Sequence, residues 1–183
     1  MLEQDTNDII FYRVGKQLCI LDHDALLFSN SMPSTGTPQR FLTRPKNVKN
    51  VLHFCMGHGN RHVAVCESTR AWDSVTDTVV EAQVSVYNTL NFHRLKTLTH
   101  TCTDEFVQSE FCGDSKYLAA MTGERDKQII VFHWEKDKVH KIISLAAFPV
   151  TRMRVAPCNA LMITTSGRGT LRSWFIGPGT SCN

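Results

Sequence analysis

Cys55, His58, His62 and Cys66 stand in the order C-x2-H-x3-H-x3-C. Thiolates and imidazoles are the ligands that a tetrahedral zinc ion takes. The four positions straddle a turn at Gly57-His58-Gly59-Asn60, and strand parity puts Phe54 and Cys55 on opposite faces. Such a set need not converge, so the expectation is a turn with exposed histidines and packed cysteines, with no metal or cofactor assigned. His133, beside Trp134, has the side chain of a general base. No nucleophile or carboxylate is marked as its partner, and a packed or rim histidine is expected. Gly167-Arg168-Gly169 has the look of a phosphate loop, but no helix follows to aim its N-terminal N–H groups at an anion. A β-turn is expected there. Asp126, in Glu124-Arg125-Asp126-Lys127, is expected to bond its own turn. No catalytic residue emerges, and the chain reads as non-enzymatic.

Binding chemistry is better marked. Arg152, Arg154, Arg168 and Arg172 fall within one short unit, and Arg152 and Arg154 share a strand face at period two. They suit an acidic protein surface such as tubulin's, or nucleic acid, against a bland reading as a solvated face. Lys136, Lys138 and Lys141 read as blunting an edge strand. Trp72, in the inserted stretch Arg70 to Val80, and the loop of residues 30–38 are further partner-contact candidates. Both segments are long for hairpin connections, and long loops on rigid sheets commonly carry binding.

The elements that position these residues are short apolar runs. In Glu105 to Glu135 they are Phe106–Phe111, Tyr117–Met121 and Gln128–Trp134, separated by Gly113-Asp114-Ser115-Lys116 and by Gly123 to Lys127. Runs of this length between Gly/Asp/Ser clusters predict strands joined by tight hairpins. Lys138 to Leu145 completes a four-stranded antiparallel meander. The third run is apolar on both faces, Ile129 and Val131 on one and Ile130, Phe132 and Trp134 on the other. A strand of that kind requires cover on both sides of its sheet.

The pattern recurs. The third strands align at Tyr87, Phe132 and Trp174, which stand 45 and 42 residues apart. The second strands align at Ala64, Ala119 and Met162, the longer first step reflecting the insertion of roughly 10 residues around Arg70 to Val80, beyond ordinary hairpin lengths. Blade-like units are predicted over about 9–44, 50–98, 106–145 and 149–176, the first being the least regular, with strand candidates at Ile9–Val14, Lys16–Asp22, Ala25–Asn30 and Gln39–Arg44. Helical periodicity is nearly absent. The expected fold is therefore all-β: about three and a half four-stranded antiparallel sheets in a single partial propeller domain spanning 1–183.

Composition sets bounds on function. A net charge of +3 makes no demand for nucleic acid or an anionic membrane. No apolar run approaches the roughly 20 residues of a membrane helix. The opening MLEQDTNDII carries Glu3, Asp5 and Asp8 and no basic residue, unlike a secretory or transit signal, so a cytosolic or cytosol-continuous location is expected. Seven scattered cysteines, none in C-x-x-C, are expected to be reduced thiols packed as small hydrophobes.

TTSGRGTLRSWF (Thr164 to Phe175) and GDSKYLAA (Gly113 to Ala120) resemble the strand–turn–strand words of WD40 repeats. No Gly-His opens a blade at the usual place and no Trp-Asp closes one, so the blades are degenerate. GDSKYLAAMTGERDKQIIVFHWEKDKVHKII (Gly113 to Ile143) and NDIIFYRVGKQLCILD (Asn7 to Asp22) are similar to the cilia- and flagella-associated protein 57 family, long WD-repeat proteins of motile cilia. That resemblance covers residues from about 9 to 176. It implies an axonemal scaffold near the inner dynein arms, with axonemal, dynein-associated or tubulin partners. The same repeats serve adaptors in ubiquitin ligase recognition and RNA processing, the alternative class. The family continues into further blades and a coiled-coil half, so the chain is expected to be a fragment, a short isoform or a divergent relative. Propellers close with about 4–8 blades, and the end sheets here are expected to need further blades or a partner as cover.

Overall fold

In the computed structural model, residues 9–22, 39–43, 48–68, 82–100, 105–145, 149–156 and 159–177 are described. They form 14 strands and two short 3-10 turns, with no α-helix among the described residues. The chain divides into two compact units, residues 1–46 and 47–183.

In the first unit, β1 (Ile9–Val14) and β2 (Gln17–Asp22) make a hairpin around Gly15, whose φ of +57 suits a residue without a Cβ. β3 (Gln39–Phe41) pairs antiparallel with β2, with Cys19 opposite Phe41 and the Leu42 N–H donated to the Leu18 carbonyl. Of the Gln39–Arg44 run, expected as a fourth strand, Gln39–Phe41 forms a strand directly beside β2, and Arg44 lies outside the described residues. Leu18, Cys19 and Ile20 on β2 are all nearly inaccessible. The Ala25–Asn30 candidate and the loop 30–38 lie outside the described residues.

The second unit holds three sheets. β4 (Asn50–Met56), β5 (His62–Ser68), β6 (Ala82–Asn88) and β7 (Arg94–Thr99) form the first, in that order. β8 (Phe106–Cys112), β9 (Tyr117–Thr122), β10 (Gln128–His133) and β11 (Lys138–Ser144) form the second. β12 (Val150–Ala156), β13 (Asn159–Gly167) and β14 (Thr170–Phe175) form the third. Each sheet is a meander of neighbours in sequence, as the hairpin spacing predicts.

The stacking follows from β10. Ile130, Phe132 and Trp134 join Cys55, Ala64, Val84, Val86 and Leu98 in the core between the first and second sheets of this unit. Ile129 and Val131 join Met153, Ile163 and Ile176 in the core between the second and third. The two-faced strand therefore serves two interfaces, and each fully buried aliphatic contributes roughly 1.5–3 kcal/mol of transfer free energy. The strand stops at His133, one residue before the end of the apolar run. Trp134 opens a 3-10 turn because its indole N–H, 2.5 Å from the Ser115 carbonyl, anchors it across the sheet.

Irregularities repeat with the sheets. In β4, β8 and β12 the register shifts at the same place, between Val51 and His53, Phe106 and Gln108, and Val150 and Arg152. In the third-to-fourth strand pairs it shifts between Val86 and Tyr87, and between Val131 and Phe132. A bulge inserts one residue and sharpens the local twist. Its recurrence makes the sheets copies of one structural unit, down to the aligned aromatic positions Tyr87 and Phe132.

Candidate interaction surface

The first strands of the three sheets in the second unit lie side by side, and the residue after each bulge faces a repeated task. On β4, His53 Nδ1 accepts the Ser109 N–H from β8 at 3.3 Å. On β8, Gln108 takes both backbone groups of Met153 on β12. Its Oε1 accepts the Met153 N–H at 3.0 Å and its Nε2 donates to the carbonyl at 2.5 Å. The third equivalent, Arg152, is exposed. Burial, and then the Arg154 guanidinium, hold the His53 imidazole below the ordinary histidine value. Glu110 on β8 pairs with Arg154 on β12. Burial pushes the Glu110 carboxyl above the usual range, and Arg154 opposes that rise.

The zinc-spaced residues separate. Cys55 and Cys66 are buried in the core between the first and second sheets of the second unit, with Cys55 Sγ 3.5 Å from Ser109 Oγ. His58 sits exposed on the 3-10 turn His58–Asn60, its backbone N–H donated to Ser115 Oγ at 2.5 Å. His62 rests edge-on against Trp134, ring centroids 5.1 Å apart. Among the described residues no group of three or more His, Cys, Asp or Glu side chains is placed to hold a metal. His133 packs edge-on against Tyr117. Both His133 ring nitrogens are shielded and have no hydrogen-bond partner. Gly167-Arg168-Gly169 is the β13–β14 turn. A Cβ on Gly167 would lie 1.5 Å from the Pro149 carbonyl oxygen, so this glycine is required by close backbone approach. Trp72 lies outside the described residues.

The arginines do share one sheet. Met153, Ile163 and Trp174 turn toward the second sheet of the unit, so parity turns Arg152, Thr164, Ser166, Leu171, Ser173 and Phe175 to the other side. Arg152 lies in register with Ser166 and Leu171, and Arg154 with Thr164 and Ser173. The corresponding side of the second sheet carries Ala119, Met121, Ile129 and Val131. The outer side of the third is thus hydroxylated and basic, with Leu171 and Phe175 as its exposed apolar members. No aspartate or glutamate occurs between Val150 and Gly177. Arg168 projects at the loop end, where it borders a cleft of about 570 Å³ shared with Glu105, Glu124, Lys127 and an apolar floor of Met121 and Leu145. Sequence reasoning missed Glu105, Glu124 and Lys127 as neighbours of Arg168, because the turns that bring them together are a whole repeat apart.

No family model matches the chain. It is 22% identical over 148 residues, 78% of its length, to mouse (Mus musculus) "Cilia- and flagella-associated protein 57" and spans 11% of that relative. Among solved structures, "Structure of Dos1 propeller" superposes with a TM-score of 0.60 at 11% identity, over 87% of this chain and 36% of that one.

Proposed function

Taking as premise that this chain is WD40-like, an incomplete array of propeller blades, we propose that it is a non-catalytic protein-interaction scaffold of the ciliary or flagellar axoneme. In this reading it lies with the cytoskeleton, associated with inner dynein arm assembly and cilium motility, and its partners are axonemal proteins or tubulin. The observation that carries the reading is the coincidence of two independent likenesses over most of the chain. The sheets superpose on a propeller, and the sequence aligns along 78% of its length with a relative named for cilia and flagella. Physically, sheets stacked through shared cores form a rigid frame, and the side chains left on rims and outer faces become the binding groups. Arg152, Arg154, Arg168 and Arg172, with Trp72 in the insertion, are proposed as partner-binding residues. No helix among the described residues is long and apolar enough to cross a membrane.

The test is retention. Tagged protein expressed in a ciliated cell should remain with axonemes after detergent extraction and a salt wash. Recovery in the soluble fraction at the lowest salt would count against the axonemal assignment and favour an adaptor elsewhere.

A further inference from the structure

Four charged side chains border the cleft between the second and third sheets of the second unit: Glu105, Glu124, Lys127 and Arg168. Among the described residues no ion pair involves any of the four. They surround an apolar floor of Met121 and Leu145, both nearly inaccessible. Topology sets their order. The Glu105 carbonyl accepts the Gly123 N–H at 3.0 Å, just past β9. The Glu105 side chain lies against Gly123, where an added Cβ would come within 2.9 Å of its Cγ. Lys127 immediately precedes β10, and its carbonyl accepts the Leu145 N–H at 2.6 Å, just past β11. Glu105 and Glu124 thus mark the β8–β9 end of the cleft, and Lys127 the β10–β11 end. On the facing sheet, β12 is held against β8 through Gln108 and Met153, so the β13–β14 turn that carries Arg168 stands farther out. The cleft is acidic toward the first strands and basic toward the last, with apolar ground between.

We propose that this cleft receives an extended segment of another protein in which an apolar side chain is flanked by one basic and one acidic residue. The inference rests on the scaffold reading and deepens it by naming the partner's chemistry. The apolar side chain lies on Met121 and Leu145. The basic residue faces Glu105 and Glu124, and the acidic one faces Lys127 and Arg168. A volume of about 570 Å³ is enough for such a short stretch and falls inside the ordinary span of ligand sites. Covering the floor removes apolar surface from water, and the two charge contacts fix register and exclude wrong partners more than they add affinity. Charge complementarity narrows the choice of occupant. A polyanion such as nucleic acid meets carboxylates at one end of the cleft, and a polybasic segment meets cations at the other. A segment with one charge of each sign satisfies both ends.

The experiment measures fluorescence polarisation of a labelled, end-capped heptapeptide, Gly-Ser-Lys-Leu-Glu-Ser-Gly, with the full chain. Three peptides of equal length serve as comparisons, with central triplets Lys-Leu-Lys, Glu-Leu-Glu and Lys-Ser-Glu. The Lys-Leu-Glu peptide should bind severalfold more tightly than each of them. Paired variants then assign the two ends. Glu105→Gln with Glu124→Gln should weaken the Lys-Leu-Glu peptide severalfold and leave a Gln-Leu-Glu peptide nearly unaffected. Lys127→Gln with Arg168→Gln should do the same to Lys-Leu-Glu against Lys-Leu-Gln. Glu124, Lys127 and Arg168 are exposed on turns, so these variants should keep the urea midpoint of the wild type. Equal binding of the four peptides would overturn the inference. So would variants that weaken the charge-deleted peptides as much as the charged one. Displacement of the peptide by free leucine at matching concentration would also overturn it, making the cleft an amino-acid site. A self-associated chain that dissociates when the four charges are neutralised would do so too, making a second copy the occupant. Loss of peptide preference with axonemal retention intact would remove this inference alone; the reverse outcome would remove the ciliary assignment and leave the cleft's ligand standing.

Discussion

At the scale of single residues, the side chains whose chemistry first draws notice are the ones the packing silences. Burial pushes the Cys66 thiol up to about 12, and Cys112 likewise; Cys55 is raised further still. The thiolate is the reactive form. Native protein is therefore expected to leave Cys55, Cys66 and Cys112 unlabelled by iodoacetamide at neutral pH, with labelling appearing on unfolding, as peptide mass spectrometry would read. His53 makes a different prediction. Its folded-state value lies below the ordinary 6.5, so the unfolded chain takes up the proton first as pH falls. The stability it contributes is present above about 6.5 and is lost as pH falls below that value, because the unfolded chain gains a proton that burial and the Arg154 guanidinium keep off the folded imidazole. Glu110 has the opposite sign: its raised value favours the folded state as the carboxyl protonates. Comparing urea midpoints of wild type and His53→Gln between about pH 7.5 and 5.5 isolates the histidine, and the variant should show the flatter dependence. Gly167→Ala should destabilise by at least about 1–3 kcal/mol, because the contact it creates is with backbone and cannot be relieved by a rotamer change.

The strands show why part of this molecule can be read directly from its letters. β10 declares its environment, since Gln-Ile-Ile-Val-Phe-His leaves no polar face and a sheet with two apolar faces must be covered twice. Hairpins are equally legible: Gly113, Asp114 and Ser115 all adopt positive φ, and Lys116 N–H closes the turn on the Gly113 carbonyl. The seams are not legible. Gln108 and Met153 are 45 residues apart, and Arg154 and Glu110 are 44 apart. Those separations are one repeat, so the contacts exist only once sheets stack, and no local pattern in either strand marks them. The 3-10 turn at Trp134 is hidden for a related reason: its anchor is the carbonyl of Ser115, 19 residues away in another hairpin of the same sheet. Adjacent residues on β10 should separate the two cores experimentally. Ile130→Ala should weaken the seam between the first and second sheets of the unit, and Ile129→Ala that between the second and third, each by about 2–5 kcal/mol. Amide exchange should accelerate in β5 and β6 for the first variant and in β13 for the second.

For the molecule as a whole, the consequence is a gradient. Sheets that share cores on both sides are held twice, and a sheet with an open side is held once. Within the second unit, β10 lies between two cores, whereas β14 has one side exposed. Native-state exchange is expected to be slowest in β10 and to quicken toward β14, reflecting local opening well below the global unfolding free energy. The outer side of the third sheet is also chemically unlike its predecessors. Thr164, Ser166 and Ser173 occupy the places that Ala119, Met121 and Val131 hold one repeat earlier, so hydroxyls stand where the second sheet presents apolar side chains to its neighbour.

The Gln108 amide gives this stack an uneven mechanical character. It grips Met153 through two bonds side by side, whereas His53 holds Ser109 through one. Pulled lengthwise along their first strands, the sheets have a firm joint and a weaker one at successive positions. Strain applied to such a frame would concentrate at the weaker joint and let it yield, while the second and third sheets travelled together as a single piece.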